Sequence, residues 1–362
     1  MNASPADRTV LVTGGSGFVA AHLVQQLLER GYRVRATVRS TARTDKLRPL
    51  RALQDARPGR LDLFEADLLA EGSFDEAARG CSVVFHVASP FLMPEKIKDG
   101  RRDVVEPALR GTRNVVAAVN RAGTVERLVL TSTVGAIFGD YVDVREMDGQ
   151  TLSEKYVNTT STVENNPYHY AKTVAETAAR EAEAAQDRWR MVALNPGLIL
   201  GPSLTPASVS GSLFLLDELF KGYFFYGAPD FSFTTADVRD VAAAHIAAAE
   251  RPGAYGRYIV AAPEMTSFHQ MATILRERRP RDLRLPRTAL PHWPVRLLGP
   301  AFGLSQRYIR NHLGIRFPVD NRRSVEELGL VYRPIEETLT DHYRTWREQR
   351  GQGRRGASAR AR

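Results

Sequence analysis

The stretch Thr9–Ala20, TVLVTGGSGFVA, limits what this chain can fold into more than any other. Val10, Leu11 and Val12 form a short apolar run that reads as a buried strand, and Phe18 through Leu28 switch to helical spacing. Between them Thr13 to Gly17 make a Gly-rich turn. Strand, turn and helix in that order bring backbone N–H groups and a helix N-terminus beside a pyrophosphate. Gly14 permits the tight turn, Gly17 lets the backbone approach the phosphates, and Ala20 is small where helix packs on strand. A Gly-rich turn alone is a weak signal. This one follows a strand and opens a helix, so a dinucleotide site is expected.

The chain continues as alternating strands and helices. Gly31–Arg39 is a second strand, and its end is where such a fold reads the adenosine ribose: an acid there accepts the 2′-OH of NAD, an arginine favours the 2′-phosphate of NADP. Here Arg39 is followed by Ser40, Thr41, Arg43 and Lys46, with no carboxylate before Asp45. NADP(H) is therefore the expected cofactor, with NAD(H) the alternative. Arg60–Ala66 is a third strand ending at Asp67 and Leu68, a pair suited to the adenine amino group and ring. Ser82–Ala88 is a fourth, ending in the small Ala88-Ser89-Pro90. A helix over Val104–Arg121 carries Asn114 among apolar residues, either to position a catalytic lysine or to bond a loop.

Leu128–Thr131 forms a fifth strand and runs into Ser132 and Thr133. After a polar loop from Asp140 to Asn166, Asn165-Asn166-Pro167 signals a helix start. Trp189–Leu194 is a sixth strand, ending in Asn195-Pro-Gly197. The expected fold is α/β: a doubly wound, mostly parallel, Rossmann-type sheet with a smaller mixed C-terminal substrate domain. The dinucleotide-binding domain is expected over 8–200, with 236–262 returning to it. The substrate domain takes 201–235 and 263–345, and 346–362 is a disordered basic tail.

Charge and composition exclude other classes. The net charge of +9 comes from 50 basic and 41 acidic residues, much of the surplus lying in Arg276–Arg287 and Gly351–Arg362. No module with interleaved aromatics accompanies that charge, so nucleic acid is not an expected partner. No apolar run approaches the length of a membrane span, and the N-terminal residues show no apolar signal core, so a cytoplasmic protein is expected. Cys81 is the one cysteine; it reads as a packed small residue, and no metal set is expected.

Tyr168 and Lys172 are four apart on a helix and share a face. With a hydroxyl from Ser132 or Thr133 they suit one task, moving a proton on or off an oxygen while hydride moves on or off its carbon. A phenol near its reference pKa of about 10 is a poor base at neutrality, and a neighbouring ammonium favours the phenolate. The Ser or Thr hydroxyl would fix the substrate oxygen, and Tyr168 would give or take the proton. Tyr170 lies only two residues from Lys172 and points elsewhere.

The sequence resembles the extended short-chain dehydrogenase/reductase superfamily, within it the dihydroflavonol reductase, cinnamoyl-CoA reductase and aldehyde/ketone reductase group. The resemblance rests on Thr13-Gly-Gly-Ser-Gly-Phe-Val19, Val84-Phe-His-Val-Ala-Ser-Pro90, Gly111-Thr-Arg-Asn114, Leu130-Thr-Ser-Thr133, Tyr168-x-x-x-Lys172, Asn195-Pro-Gly-Leu-Ile-Leu-Gly-Pro202 and Asp237-Val-Arg-Asp-Val241. It implies that Gly14, Gly17, Phe18 and Val19 line the pyrophosphate turn and that Arg39, with Lys46, grips the 2′-phosphate. Asp67 and Leu68 would hold adenine, Ala88 and Ser89 would pass beneath the ribose, Thr131 would also bind the cofactor, and Pro196, Gly197 and Ile199 would border the nicotinamide. Thr133 matches the catalytic hydroxyl, with Ser132 and Asn114 in reserve.

Departures from neighbouring families narrow the reaction. Nucleotide-sugar dehydratases carry Asp-Glu after the catalytic Thr, where this chain has Val134-Gly135. The expected activity is NADP(H)-dependent interconversion of a hydrophobic, aromatic or alicyclic, ketone or aldehyde with its alcohol, by a monomer or homodimer. A 3β-hydroxysteroid dehydrogenase, a nucleotide-sugar epimerase and a catalytically inert NADP-binding regulator are the alternatives. Phe91, Phe138, Leu213, Phe214, Phe220, Tyr223 and Phe225 are candidates for the apolar substrate wall. The polar loop 140–166 argues against carrying over flavonoid or CoA-thioester specificity.

Overall fold

The computed structural model describes residues 8–90, 97–204, 211–278 and 284–360, with side chains through Arg350 apart from those of 211, 212 and 302. Its centre is a seven-stranded parallel sheet in the order β3-β2-β1-β4-β5-β6-β9. These strands are β1 (Thr9–Val12), β2 (Arg33–Val38), β3 (Leu61–Glu65), β4 (Val83–His86), β5 (Arg127–Thr131), β6 (Arg190–Pro196) and β9 (Gly256–Val260). β1 pairs with β2 on one side and β4 on the other, so the winding reverses between β1 and β4, where doubly wound sheets open a ligand crevice. A second, mixed sheet joins β7 (Leu198–Leu200), β8 (Ser232–Asp237) and β10 (Met265–Ser267), with β7–β8 parallel and β8–β10 antiparallel.

Helices α1 (Phe18–Glu29), α2 (Thr44–Ala56), α3 (Asp75–Ala78), α4 (Glu106–Ala122) and α5 (Pro167–Ala184) alternate with the strands of the large sheet. α6 (Gly211–Phe220) and α7 (Val238–Glu250) follow, then α8 (Phe268–Arg278), α9 (His292–Leu298), α10 (Gln306–His312), α11 (Arg322–Glu326) and α12 (Ile335–Arg360). α2, which the sequence reading left unassigned, follows the Arg39 loop and tolerates Pro49 inside it. α12 continues through residues assigned above to a tail. Among the described residues no helix is long and apolar enough to cross a membrane.

Both faces of the sheet are covered. α1 and α7 pack together on one face, where Val10, Val12, Leu23, Leu27, Val241 and Ile246 share a core. On the other, α4 buries Val115, Val116 and Val119 against Leu11, Leu128 and Met191. Cys81 lies in that second core with its thiol donating to the Ala77 carbonyl, the packed small residue expected. α5 starts where its caps dictate: Pro167 sits at the first turn and Asn166 accepts the His169 N–H. That start fixes which face of α5 meets the end of β5.

Candidate active site

The Gly-rich turn has the shape of an anion cradle. Gly14 has φ +69°, and a Cβ there would lie 3.0 Å from the Ala88 Cβ. Gly17 caps α1 with no side-chain bond, so the first-turn amides of Phe18, Val19 and Ala20 carry no capping group of their own. Thr13, fully buried, pins this turn to the end of β4: its Oγ1 accepts from Val87 N at 3.1 Å and Ala88 N at 2.9 Å and faces His86 Nδ1 at 3.1 Å. With both acceptor positions filled, the Thr13 hydroxyl donates to His86. Burial, with the charge of Lys172 adding to it, pushes His86 down to about 3, so it is neutral and an acceptor at Nδ1.

Arg39 stands exposed at the end of β2 and has no hydrogen bond or ion pair among the described residues. Lys46 is half-buried on α2. Asp67 is exposed and turns one carboxylate oxygen to Leu69 N at 2.9 Å, while Leu68 lies half-buried against Gly111, where a Cβ would come within 3.1 Å of it. Uncapped amides, a cradle that a Cβ would narrow and an unpaired guanidinium are the donor set a phosphorylated dinucleotide requires, so the residues present fit that group. At the end of β6, a Cβ on Gly197 would meet the Thr234 carbonyl oxygen at 2.4 Å, so no larger residue fits there. Pro196 is buried and Ile199 half-buried.

The hydroxyl-bearing pair after β5 splits in role. Ser132 is buried and donates to Glu176 Oε2 at 2.5 Å. Thr133, half-buried, has only long contacts, 3.4 Å to the Pro196 carbonyl and 3.3 Å from Gly135 N, so its hydroxyl retains bonding capacity where that of Ser132 does not. The preceding Thr131 donates to His245 Nε2 at 2.7 Å, because His245 Nδ1 donates to the Val241 carbonyl. Burial drives His245 down to about 4 and keeps it neutral.

Tyr168 and Lys172 lie on α5 beside this strand end. Lys172 Nζ donates to the Thr131 carbonyl at 3.1 Å, and burial lowers its pKa to about 8 against the raising influence of Glu176. Tyr168 keeps 41% of its surface open, yet enough protein crowds the phenol that desolvation raises its pKa. Its hydroxyl has no hydrogen-bond partner among the described residues. The expectation that a neighbouring ammonium makes this phenol acidic is thus corrected: desolvation is what shifts it, and upward. Lys172, Thr131, Ser132, His86, Ala88 and Ser89 line a common cleft.

Other assignments are corrected by packing. Asn114 Nδ2 donates to the Leu68 carbonyl at 2.8 Å, the helix-to-loop bond that was one of its two expected roles. Phe138 is buried in a core with edge contacts to Tyr141, His169 and Phe317, and Phe220 is buried against His342, Tyr343 and Trp346, so neither forms an open wall. Leu213 packs against the α1–α7 core, whereas Phe214, Tyr223 and Phe225 are exposed. Phe91 lies outside the described residues. The sequence reading missed Glu176 and Arg257. Glu176 alone could have been found, as an acid on the small-residue face of AKTVAETAA one turn beyond Lys172.

Comparison with known proteins places this geometry. Residues 10–261 match the model of the NAD dependent epimerase/dehydratase family. The chain is 32% identical over 352 residues to a cinnamoyl-CoA reductase (CAD2) of Medicago truncatula, covering 97% of this chain and 99% of the relative. It is 38% identical over 276 residues to a dihydroflavonol 4-reductase of Zea mays, covering 75% and 74%. Among solved structures it is similar to yeast methylglyoxal/isovaleraldehyde reductase Gre2 complexed with NADPH, at TM-score 0.75 and 26% identity over 95% of this chain and 99% of that one. The turn, the strand-end hydroxyls, the tyrosine–lysine helix and the match over most of the fold agree: the chain belongs to the NAD dependent epimerase/dehydratase family of extended short-chain dehydrogenases/reductases.

Proposed function

We propose that this protein is an NADP(H)-dependent oxidoreductase that interconverts a hydrophobic, aromatic or alicyclic, ketone or aldehyde and its alcohol. The observation that carries the reading is the tie between α5 and the end of β5: Lys172, one helical turn from Tyr168, donates at 3.1 Å to the carbonyl of Thr131, two residues before Thr133, whose hydroxyl is held only by contacts of 3.3 and 3.4 Å. The reductase relatives and the NADPH complexes of Gre2 support it. A bound nicotinamide dinucleotide supplies or takes up the hydride. Gly14, Gly17 and the first-turn amides of α1 hold its pyrophosphate, and Arg39 its 2′-phosphate.

The chain's own work concerns the oxygen. The Thr133 hydroxyl donates to the carbonyl oxygen and stabilises the charge that builds there. Tyr168 delivers its phenolic proton to that oxygen in reduction and removes it in oxidation. Crowding opposes the phenolate, and the role this reading gives the Lys172 ammonium, one helical turn away, is to offset part of that cost. Val134-Gly135 follow Thr133 where an acid–base pair for water elimination would stand, so dehydration is not supported.

Tyr168→Phe tests the reading. Turnover of NADPH with a panel of free ketones and aldehydes should fall roughly 100-fold or more, the scale of a lost general acid, while NADPH binding followed by fluorescence stays within a factor of a few. Retained turnover overturns it. Net consumption of NADPH by the wild type separates a reductase from an epimerase, which returns its cofactor unchanged.

A further inference from the structure

Beneath the cleft lies a charged cluster that the reaction above does not use. Glu176 is fully buried, one helical turn beyond Lys172, and both line the same cleft. Its Oε1 takes the Arg257 Nε at 2.5 Å and Arg180 Nη2 at 3.1 Å. Its Oε2 accepts the Ser132 hydroxyl at 2.5 Å and Asn195 Nδ2 at 3.1 Å, and the same Asn195 nitrogen donates to the Thr133 carbonyl at 2.9 Å. One carboxylate therefore holds the side chain of Ser132 directly and the backbone of Thr133 through Asn195. Arg257 reaches it from β9 and is itself anchored on the Tyr156 carbonyl at 2.7 Å.

Replacing such a pair by apolar residues is often neutral or stabilising, so stability alone is a weak reason for it. Its position supplies another. The charged and titratable groups around Lys172 are His86 from β4, Tyr168 and Glu176 from α5, and of these only Glu176 carries charge at neutrality. We propose that Glu176, clamped by Arg257, is a positioning residue for the reductase site: it fixes Thr133 at the end of β5 and keeps the positive charge on Lys172. The proposal rests on the functional reading above. Burial pushes the Glu176 carboxyl up, but Arg257, Ser132 and Arg180 outweigh that and hold it below its ordinary range.

The test titrates Lys172 in the cofactor-free, full-length protein by competitive acylation with acetic anhydride and peptide mapping across pH 6–11. In Glu176→Gln the Lys172 midpoint should fall by about one unit or more, the scale on which losing a neighbouring opposite charge moves a pKa. Because the single change strands Arg257, the double variant Glu176→Gln/Arg257→Gln is measured beside it; it also removes a neighbouring cation, so a smaller fall in the same direction is expected. A midpoint unchanged in whichever variant folds overturns the proposal. In the wild type, a Glu176 side-chain ¹³C resonance that titrates near neutrality overturns it independently. Turnover supplies the second readout: kcat should fall about 10-fold at pH 7, with its basic limb moved to lower pH. Tyr168→Phe reports on the reaction itself, so an active-site reading that fails there leaves the Lys172 titration interpretable.

Discussion

The Ser132 hydroxyl lies 2.5 Å from Glu176 Oε2, in a buried bond that leaves it no freedom to serve a substrate. The next residue, Thr133, has a hydroxyl held only by contacts of 3.3 and 3.4 Å. Adjacent residues of one strand end thus differ in availability, not in chemistry. The isosteric Thr133→Val should lower kcat roughly 100-fold, the loss of a hydrogen bond made to developing charge, with little change in Tm. Ser132→Ala should instead cost about 1–3 kcal/mol of stability by stripping a donor from a buried carboxylate, with the smaller loss in kcat. Steady-state rates and thermal melts of the two variants decide it, and the reverse order would return the catalytic hydroxyl to Ser132.

Arg39 has no intramolecular partner among the described residues, so its removal perturbs little except an incoming anion. Arg39→Ala should weaken NADPH binding by about 1.5–3 kcal/mol, the value of hydrogen bonds to a charged group, or roughly 10- to 100-fold. NADH binding should be nearly unchanged, and the NADPH advantage of the wild type should shrink as salt rises. Fluorescence titrations with both nucleotides measure this. An unchanged ratio would assign the phosphate to another residue, with Lys46 the first to try.

What could be read from the sequence divides along physical lines. The parallel sheet was legible because each buried strand is a short apolar run, as in SVVFHVA, closed by small or turn-forming residues. The start of α5 was legible because Asn166-Pro167 is a local capping signal. Partners contributed from far along the chain were not. Nothing local in GRYIV says that Arg257 crosses to Glu176, and nothing near Asn114 distinguishes a lysine contact from its bond to Leu68. The aromatic residues misled for the same reason: Phe138 and Phe220 have the composition of a substrate wall and the burial of a core, and only tertiary packing separates the two.

Asp140 ties the loop after β5 to α10. Its Oδ2 accepts from Arg307 Nη2 and Asn311 Nδ2, each at 2.7 Å, and the carboxylate is nearly buried although Arg307 remains partly exposed. Burial raises the Asp140 pKa, but Arg307, Asn311 and His312 bring it below the ordinary value, so the group is ionised at neutrality. Asp140→Asn keeps the size and loses the charge. Calorimetry should show a destabilisation of about 1–3 kcal/mol, typical of a charge-assisted buried contact, with NADPH affinity unaffected. Equal melting of variant and wild type would mean that the clasp is idle.

The histidines set the acid limit of the fold. Burial lowers His86 to about 3 and His169, His245 and His342 to about 4, from an ordinary 6.5. Between those values the unfolded chain binds protons that the folded one refuses, so stability rises with pH across that window and falls on acidification. The contribution is fully present well above pH 6.5 and is lost progressively as pH falls through 6.5 toward 4. Carboxylates act later: Glu176 and Asp237 have folded values below the ordinary 4.5 and 3.8, and they withdraw stability only beneath those points. Urea midpoints at pH 7.5, 6.5, 5.5 and 4.8 isolate the histidine window. They should drop modestly between the first two, where the unfolded imidazoles begin to take up protons, and steeply through the others. A midpoint that stays flat to pH 4.8 would show that these imidazoles take up protons in place, and the neutral state assigned to His86 and His245 would have to be abandoned.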